Sequence, residues 1–159
     1  MDQKLDQLDL KLLACLQADN QLTADILAER VGLSPSAVAR RLRQLRSTKA
    51  IAGDVAIVAE QAVGHPLSAV IHVQLERHAL TEVASFKRLL AASENIQFCL
   101  EISGAFDILL LVMVADMEAF NLFADDILAG QRAVRRYETS FVKRRLKASL
   151  ALPLDQLHR

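Results

Sequence analysis

The sequence lacks the residue pairs and spacings from which catalytic and metal centres are usually built. Its two cysteines, Cys15 and Cys99, belong to no Cys-x-x-Cys pair, so we expect buried thiols rather than redox or metal groups. Its four histidines form no His-Glu-x-x-His pattern, and there is no Walker loop, Gly-x-Gly-x-x-Gly turn or Gly-x-Ser-x-Gly elbow. We therefore expect no enzymatic activity, no metal and no cofactor.

Long apolar runs are also missing. Of the 159 residues 52% are apolar, yet the longest clean run, residues 108–115, is far shorter than the roughly 18 residues that a membrane-spanning helix needs. The first nine residues, MDQKLDQLD, carry acids where a signal peptide has a basic segment followed by an apolar one. The expectation is a soluble, cytoplasmic protein with one core or two small ones.

Acidic residues are absent from one stretch of a chain whose formal net charge is zero. Residues 30–53 contain no Asp or Glu and six basic residues, namely Arg30, Arg40, Arg41, Arg43, Arg46 and Lys49. Such a stretch is either the solvated face of an amphipathic helix or a surface that binds an anionic partner. Surface helices usually mix both signs, because like charges one turn apart destabilise a helix slightly. With nothing nearby in the sequence to offset these cations, the second interpretation is favoured.

Apolar residues in the first fifty positions repeat at helical spacing and predict three helices. The first helix carries the stripe Leu5, Leu8, Leu12 and Leu16. Thr23 is expected to cap a short second helix over residues 24–31. The third helix, inside the basic stretch, is predicted to bury Val38, Leu42 and Leu45.

The junction between the second and third helices has the residues of a tight turn. Gly32 supplies backbone freedom, Ser34 caps the third helix and Pro35 suits its first turn. Two helices joined in this way outline a helix-turn-helix. The pair Gly53-Asp54 then lies between short β-prone runs, which predicts the two-stranded wing of a winged helix.

Beyond residue 66 the apolar period changes to two and alternates with helical segments. The predicted order is β-α-β-β-α-β, the ferredoxin-like arrangement, in which both helices cover one face of an antiparallel sheet. The strand at residues 108–115 is apolar on both faces. Its uncovered face is therefore expected to meet a second copy of the same sheet in a homodimer.

The outward side of the third helix is predicted to bind double-stranded DNA. A helix about 10–12 Å across fits a major groove about 12 Å wide. Residues near the start of the helix would reach base edges, and those proposed for this role are Ser36, Ala37, Arg40 and Arg41, with Gln44 a weaker candidate. Three cations are better placed to contact phosphates, namely Arg43, Arg46 and Lys49. The capping residue Ser34 is also included among the predicted DNA-binding residues. A dimer would present two such helices to an imperfectly palindromic site.

Taken together, these segments resemble the Lrp/AsnC family of bacterial and archaeal transcription regulators. LDQLDLKLLACLQAD resembles its opening helix, LAERVGLSPSAVARRLRQL its helix-turn-helix and AIAGDVAIV its wing. ISGAFDILLLVMVAD is similar to the Gly-x-aromatic-Asp hairpin of the sensing domain, and TSFVKRRLKASLALPL to the usual ending. The chain divides accordingly into a DNA-binding domain (residues 1–50), a wing and linker (51–66) and a ferredoxin-like ligand-sensing and oligomerisation domain (67–159).

The resemblance implies a dimer through the sheets, often assembled into tetramers or octamers, with a small effector bound where dimers meet. That effector is commonly an amino acid. By analogy the effector-binding candidates are Gly104, Phe106 and Asp107, with Thr139 or Ser140 nearby. On the residues alone two interpretations stay open. Backbone N–H groups at Gly104 could receive a carboxylate and Asp107 an ammonium, or both residues could simply make a hairpin turn.

The sequence departs from the family pattern at two places. The family usually has Gly just before the wing, where this chain has Lys49-Ala50. It usually has Pro-Gly-Val before the last strand, where this chain has GQRAV.

Two rival functions are weighed against DNA binding. The first is an effector-binding oligomeric protein whose winged helix contacts another protein and shows no salt-dependent affinity for DNA. The second is a small enzyme on the ferredoxin-like half, such as a phosphatase. It would need a glycine-rich, arginine-bearing loop after the first strand, and the segment ERHALTEV contains one Arg and no Gly.

Overall fold

The three helices predicted near the N-terminus are present as α1 (Gln7–Ala18), α2 (Ala24–Val31) and α3 (Pro35–Ser47). In this computed structural model, which describes residues 5–64, 66–76 and 80–154, both predicted caps of the helix-turn-helix form. The hydroxyl of Thr23 accepts from the N–H of Ile26, and the hydroxyl of Ser34 accepts from the N–H of Ala37 at 3.3 Å. Gly32 between them adopts a left-handed φ of 71°, which glycine adopts without steric cost.

Apolar residues from all three helices meet in one small core. The buried members are Leu12, Leu27, Ala28, Val31 and Val38, with Leu16 and Leu42 packed at the edge. Burying a Leu or Val side chain contributes about 1.5–3 kcal/mol each, so this cluster fixes which side of α3 faces inward.

The predicted two-stranded wing is not formed. Within the described part of the chain, residues 52–59 belong to no strand, and Val55 and Ile57 are exposed. A tight two-residue hairpin turn needs positive φ at its centre, and Gly53 does not adopt it. A two-stranded hairpin with nothing to pack on is also marginally stable, which is consistent with an exposed segment of irregular structure here.

The second half of the chain forms the predicted ferredoxin-like domain. Its elements are β1 (Leu67–Leu75), α4 (Leu80–Ala92), β2 (Ile96–Glu101), β3 (Ile108–Val114), α5 (Met117–Ile127) and β4 (Val134–Phe141), after a short 3-10 turn at Glu60–Val63. The strands make one antiparallel sheet in the order β2-β3-β1-β4. Side chains of both helices, including Phe86 and Phe123, are buried against Ile71, Ile108 and Leu110 of the central strands. Both helices therefore cover the same face.

The opposite face of the sheet is apolar and uncovered along β2 and β3. The register pairs Phe98 with Leu111 and Leu100 with Leu109, so these side chains share that face. Phe98 is 41% and Leu100 48% exposed. These apolar side chains of β2 therefore point away from the helices.

Contacts divide the described chain into two compact units. The first unit extends to Ile57 and includes the tail from Lys147, whereas the second comprises Val58–Leu146. Gln17 on α1 holds part of this tail. The Gln17 side chain donates to the carbonyl of Leu152 at 3.1 Å and accepts from its N–H at 2.7 Å. None of the helices in the described ranges is long and apolar enough to span a bilayer.

Candidate nucleic-acid interface and effector loop

The outward face of α3 carries short polar residues near its start and basic residues further along, as predicted. Val38 and Leu45 are buried, and Leu42 is half-buried. The residues that point away from this stripe are exposed, with Ala37 half-buried: Ser36, Ala37, Arg40, Arg43, Gln44 and Ser47.

Arg41 does not belong to this outward face. Its Nη1 lies 2.7 Å from a carboxylate oxygen of Asp6 and 2.8 Å from one of Asp9, and its side chain is only 24% exposed. These hydrogen bonds raise the pKa of Arg41 above its ordinary value, and the N–H of Asp9 together with the guanidinium lowers the pKa of Asp6. The expectation that nothing offsets the charge of Arg41 is therefore wrong. The acids come from the start of α1, more than thirty residues earlier in the chain.

The two carboxylates that hold Arg41 also begin α1. Asp6 accepts from the N–H of Asp9 at 2.8 Å, and Asp9 accepts from the N–H of Asp6 at 3.2 Å, a reciprocal capping box. Arg41 thus bridges the cap of one helix to the middle of another. A guanidinium that is bound to two carboxylates is poorly placed to contact a base edge.

Arg46 is also held by an acid from outside its helix. Its Nε lies 2.8 Å and its Nη2 3.3 Å from the two carboxylate oxygens of Asp54, a two-point ion pair. The contact raises the pKa of Arg46 and lowers that of Asp54. Asp54, predicted to sit at the tip of a wing, instead neutralises a cation that was expected to bind phosphate.

Three cations of the basic stretch at or next to α3 form no ion pair with any residue that the structure describes: Arg40, Arg43 and Lys49. All three are exposed. Lys49 adopts a left-handed φ of 61° just after the helix. The outward face of α3 therefore carries Ser36, Arg40, Arg43 and Gln44. Arg41 and Arg46 instead form ion pairs with carboxylates from outside the helix.

The loop between β2 and β3 contains the effector candidates, and Asp107 has a structural role there. Its carboxylate accepts from the N–H of Leu75 at 2.7 Å, and its own N–H donates to the carbonyl of Val73 at 2.9 Å. Asp107 thereby ties the loop to the end of β1. Gly104 is exposed with a φ of 141°, a backbone conformation that favours glycine.

Phe106 contacts side chains from the uncovered face of the sheet. Its ring centroid lies 5.3 Å from that of His72 on β1, and the guanidinium carbon of Arg136 on β4 lies 5.0 Å from the Phe106 centroid. Arg136 also donates to the Gln74 side chain at 3.1 Å and lies 3.5 Å from Glu138. Sequence reasoning missed Arg136, because only the register of β1 with β4 places it beside the loop.

Thr139 and Ser140 point to opposite faces of β4. Thr139 pairs with the buried Ile71 and faces the helices, whereas Ser140 pairs with Val70 and faces the other side. Phe106 contacts His72 and Arg136, which lie on the side of Ser140. The structure therefore does not bring Thr139 onto the face that Phe106 contacts.

The cysteines and the metal-ligating residue types form no site in the described ranges. Cys15 is half-buried, but Cys99 is exposed, so the expectation of two buried thiols is wrong for Cys99. Partial burial raises the pKa of the Cys99 thiol, which keeps it protonated near neutral pH. No three His, Cys, Asp or Glu side chains among the described residues lie close enough to hold a metal ion.

Comparison with known proteins agrees with this two-part arrangement. An AsnC-type helix-turn-helix domain matches residues 5–46, and an Lrp/AsnC ligand binding domain matches residues 68–152. The chain is 36% identical over 152 residues to an HTH-type transcriptional regulator of Sinorhizobium fredii, covering 96% of this chain and 90% of that protein. It is 29% identical over 151 residues to the Bkd operon transcriptional regulator of Pseudomonas aeruginosa, covering 95% and 99%.

Two solved structures are similar over nearly the whole chain. A Neisseria meningitidis transcriptional regulator in an L-Met complex has a TM-score of 0.88 at 33% identity and covers 97% of this chain and 99% of its own. An AsnC family regulator of Agrobacterium tumefaciens has a TM-score of 0.87 at 27% identity and covers 96% and 99%. The relatives are transcriptional regulators and not enzymes. The chain therefore belongs to the Lrp/AsnC family of DNA-binding transcriptional regulators.

Proposed function

We propose that this regulator reads DNA through the outward face of α3 and that an amino-acid effector modulates it. The observation that carries the first part is the pair Arg40 and Arg43, exposed and without an ion pair among the described residues, on the side of α3 opposite its buried stripe. An ordinary solvated helix would mix charges of both signs on that face.

The roles of the basic residues differ from those expected from the sequence. Ser36, Ala37 and Arg40 lie near the start of α3 and are proposed to contact base edges, with Arg40 bidentate to a guanine and Gln44 in a lesser role. Arg43 and Lys49 are proposed to contact phosphates. Arg41 and Arg46 are proposed to stabilise the unit instead, because carboxylates of Asp6, Asp9 and Asp54 hold them.

The uncovered sheet face supports a homodimer. Phe98, Leu100, Leu109 and Leu111 line this face, and a second copy of the same sheet is the partner that buries it symmetrically. A dimer presents two α3 helices, so the binding site is proposed to be an imperfect palindrome with half-sites one or more helical turns apart.

The cluster around Phe106 supports an effector site at this end of the sheet. Arg136 and Glu138 offer a cation and an anion within 3.5 Å of each other, beside the exposed Gly104 loop and an aromatic ring. These groups complement the carboxylate, the ammonium and the apolar side chain of an amino acid. The similarity to a regulator solved with L-Met makes methionine the first candidate to test.

Selection of bound duplexes from a random pool tests both parts together. The purified full chain would select duplexes in dilute buffer, with and without each member of an amino-acid panel, beside the R40A variant as control. We expect a palindromic consensus for the native protein, a weaker preference at one base pair for R40A, and occupancy that responds to one amino acid. No enrichment even at low salt would overturn the DNA role and favour a protein-binding helix. Enrichment that no amino acid changes would overturn the effector role alone.

A further inference from the structure

Charge is strongly segregated along the second half of the chain. Between residues 51 and 129 eleven acidic residues outnumber three basic ones, whereas residues 130–159 contain eight basic and two acidic residues. Four of these eight cations fall within five consecutive residues, Lys143-Arg144-Arg145-Leu146-Lys147, which we name the basic tail segment.

The basic tail segment is exposed, and most of its charge is unpaired within the described chain. All five residues are exposed and lie in no helix or strand. Arg145 forms an ion pair with Glu60, but Lys143, Arg144 and Lys147 form none with any residue that the structure describes. Adjacent like charges repel one another, so an unpaired run of this kind is most favourable beside a polyanion.

Protection of a sheet edge does not explain these cations. β4 is an edge strand, and charged residues on such strands discourage pairing with another chain. However, β4 ends at Phe141, and the segment follows it. The arginines within the strand, Arg135 and Arg136, already supply charge at the edge.

The last residue of the basic tail segment, Lys147, belongs to the unit that carries α3. Five residues later, Leu152 is bound through both backbone groups to the Gln17 side chain on α1. Five residues span at most about 18 Å, so Lys147 stays within that distance of Leu152.

We infer that Lys143, Arg144 and Lys147 contact the DNA backbone as a second site, in addition to α3. The inference rests on DNA binding by this regulator. The contact recognises phosphate and carries no sequence information, so it strengthens binding to specific and random duplexes alike.

The test is the salt dependence of duplex binding by the full chain, with a matched control pair. The variant K143Q/R144Q removes two charges from the basic tail segment. The control K87Q/R88Q removes the same residue types from α4, where Lys87 is paired with Glu101 and Arg88 contacts Ser85. Fluorescence anisotropy with a labelled duplex gives the association constant K at salt concentrations from about 50 to 200 mM, a range over which phosphate contacts are readily counted.

For K143Q/R144Q we expect the slope of log K against log salt to become shallower by about 0.9 for each phosphate that the variant no longer neutralises. Over a fourfold rise in salt this removes about a 3.5-fold change in affinity per phosphate. The effect should be equal on random and selected duplexes, and K87Q/R88Q should retain the native slope. The charge-keeping variant K143R/R144K should also retain it.

A native slope in K143Q/R144Q, or an equal change in the control, would overturn the inference. A shallower slope in K143R/R144K would do the same, because it would assign the effect to shape rather than charge. If the double variant has an altered circular dichroism spectrum, the single variants K143Q and R144Q replace it in the test. Each is expected to show about half the change in slope. If the native protein itself shows no salt-dependent binding, the DNA role fails, which is a different result from failure of the second site.

Discussion

Arg40 and Arg41 are neighbours in sequence, and replacing each by alanine is expected to change a different property of the protein. Arg40 is exposed and has no ion pair with a described residue, so R40A should leave the free energy of unfolding within about 0.5 kcal/mol of native. Removing a bidentate base contact should weaken specific binding by about 1–3 kcal/mol, roughly 5- to 150-fold in Kd. Binding to random duplexes should weaken much less.

For R41A the expected effects are reversed. The contact with Asp6 is partly solvated and contributes about 0.2–1 kcal/mol, whereas the contact with Asp9, whose side chain is 15% exposed, should contribute somewhat more. Removing the guanidinium also leaves two carboxylates close together at the start of α1. We expect R41A to lower the free energy of unfolding by about 1–2 kcal/mol, with little direct effect on base preference.

Urea titration followed by circular dichroism measures the stability half of this prediction, since the chain has no tryptophan to report by fluorescence. Anisotropy with selected and random duplexes measures the binding half. A double-mutant cycle of R41A with D9N isolates the ion pair from other effects of truncation. Native stability in R41A together with a loss of sequence preference equal to that of R40A would contradict this prediction, because it would mean that Arg41 is free to read bases.

Two further predictions concern the same unit. K49G should raise the free energy of unfolding by about 0.5–1 kcal/mol, because a left-handed φ of 61° costs lysine more than glycine; a lowered urea midpoint would contradict this. Asp6 and Asp54 have pKa values below their ordinary ones, so each stabilises the fold above its unfolded pKa of about 3.9 and loses that contribution as the pH falls through the lower folded pKa. The contribution of these two groups to thermal stability should therefore be constant from pH 8 to about 5 and be lost below about pH 4. If the D6N/D54N variant lost as much thermal stability below pH 4 as the native protein does, the two carboxylates would not have this role.

Local sequence signals predicted most of the helix-turn-helix. Thr23, Gly32 and Ser34 act through neighbours within three or four residues, and the burial of Val38 and Leu45 follows from helical spacing. Such features depend on short stretches of chain, and so they can be read without knowing the fold.

The features that sequence reasoning missed depend on residues far apart in the chain. The partners of Arg41 lie at the start of another helix, and the sequence around Arg41 does not predict them. The prediction of a wing was wrong for a related reason. The β-prone residues around Gly53 are exposed and do not pack on a surface, and Asp54 binds Arg46 instead. Likewise, the contact of Arg136 with Phe106 needs the strand register, which alternation within one strand cannot supply.

The outward face of α3 is proposed to lie in the major groove, and methylation interference on a selected duplex would detect that contact at single guanines. Methylation at guanine N7 blocks contacts in the major groove, because N7 faces that groove. For the native protein we expect interference at guanines within each half-site, with the signal at one guanine abolished in R40A and retained in R43A. Interference absent from every guanine, or an R40A pattern identical to native, would contradict the assignment of α3 as the reading helix.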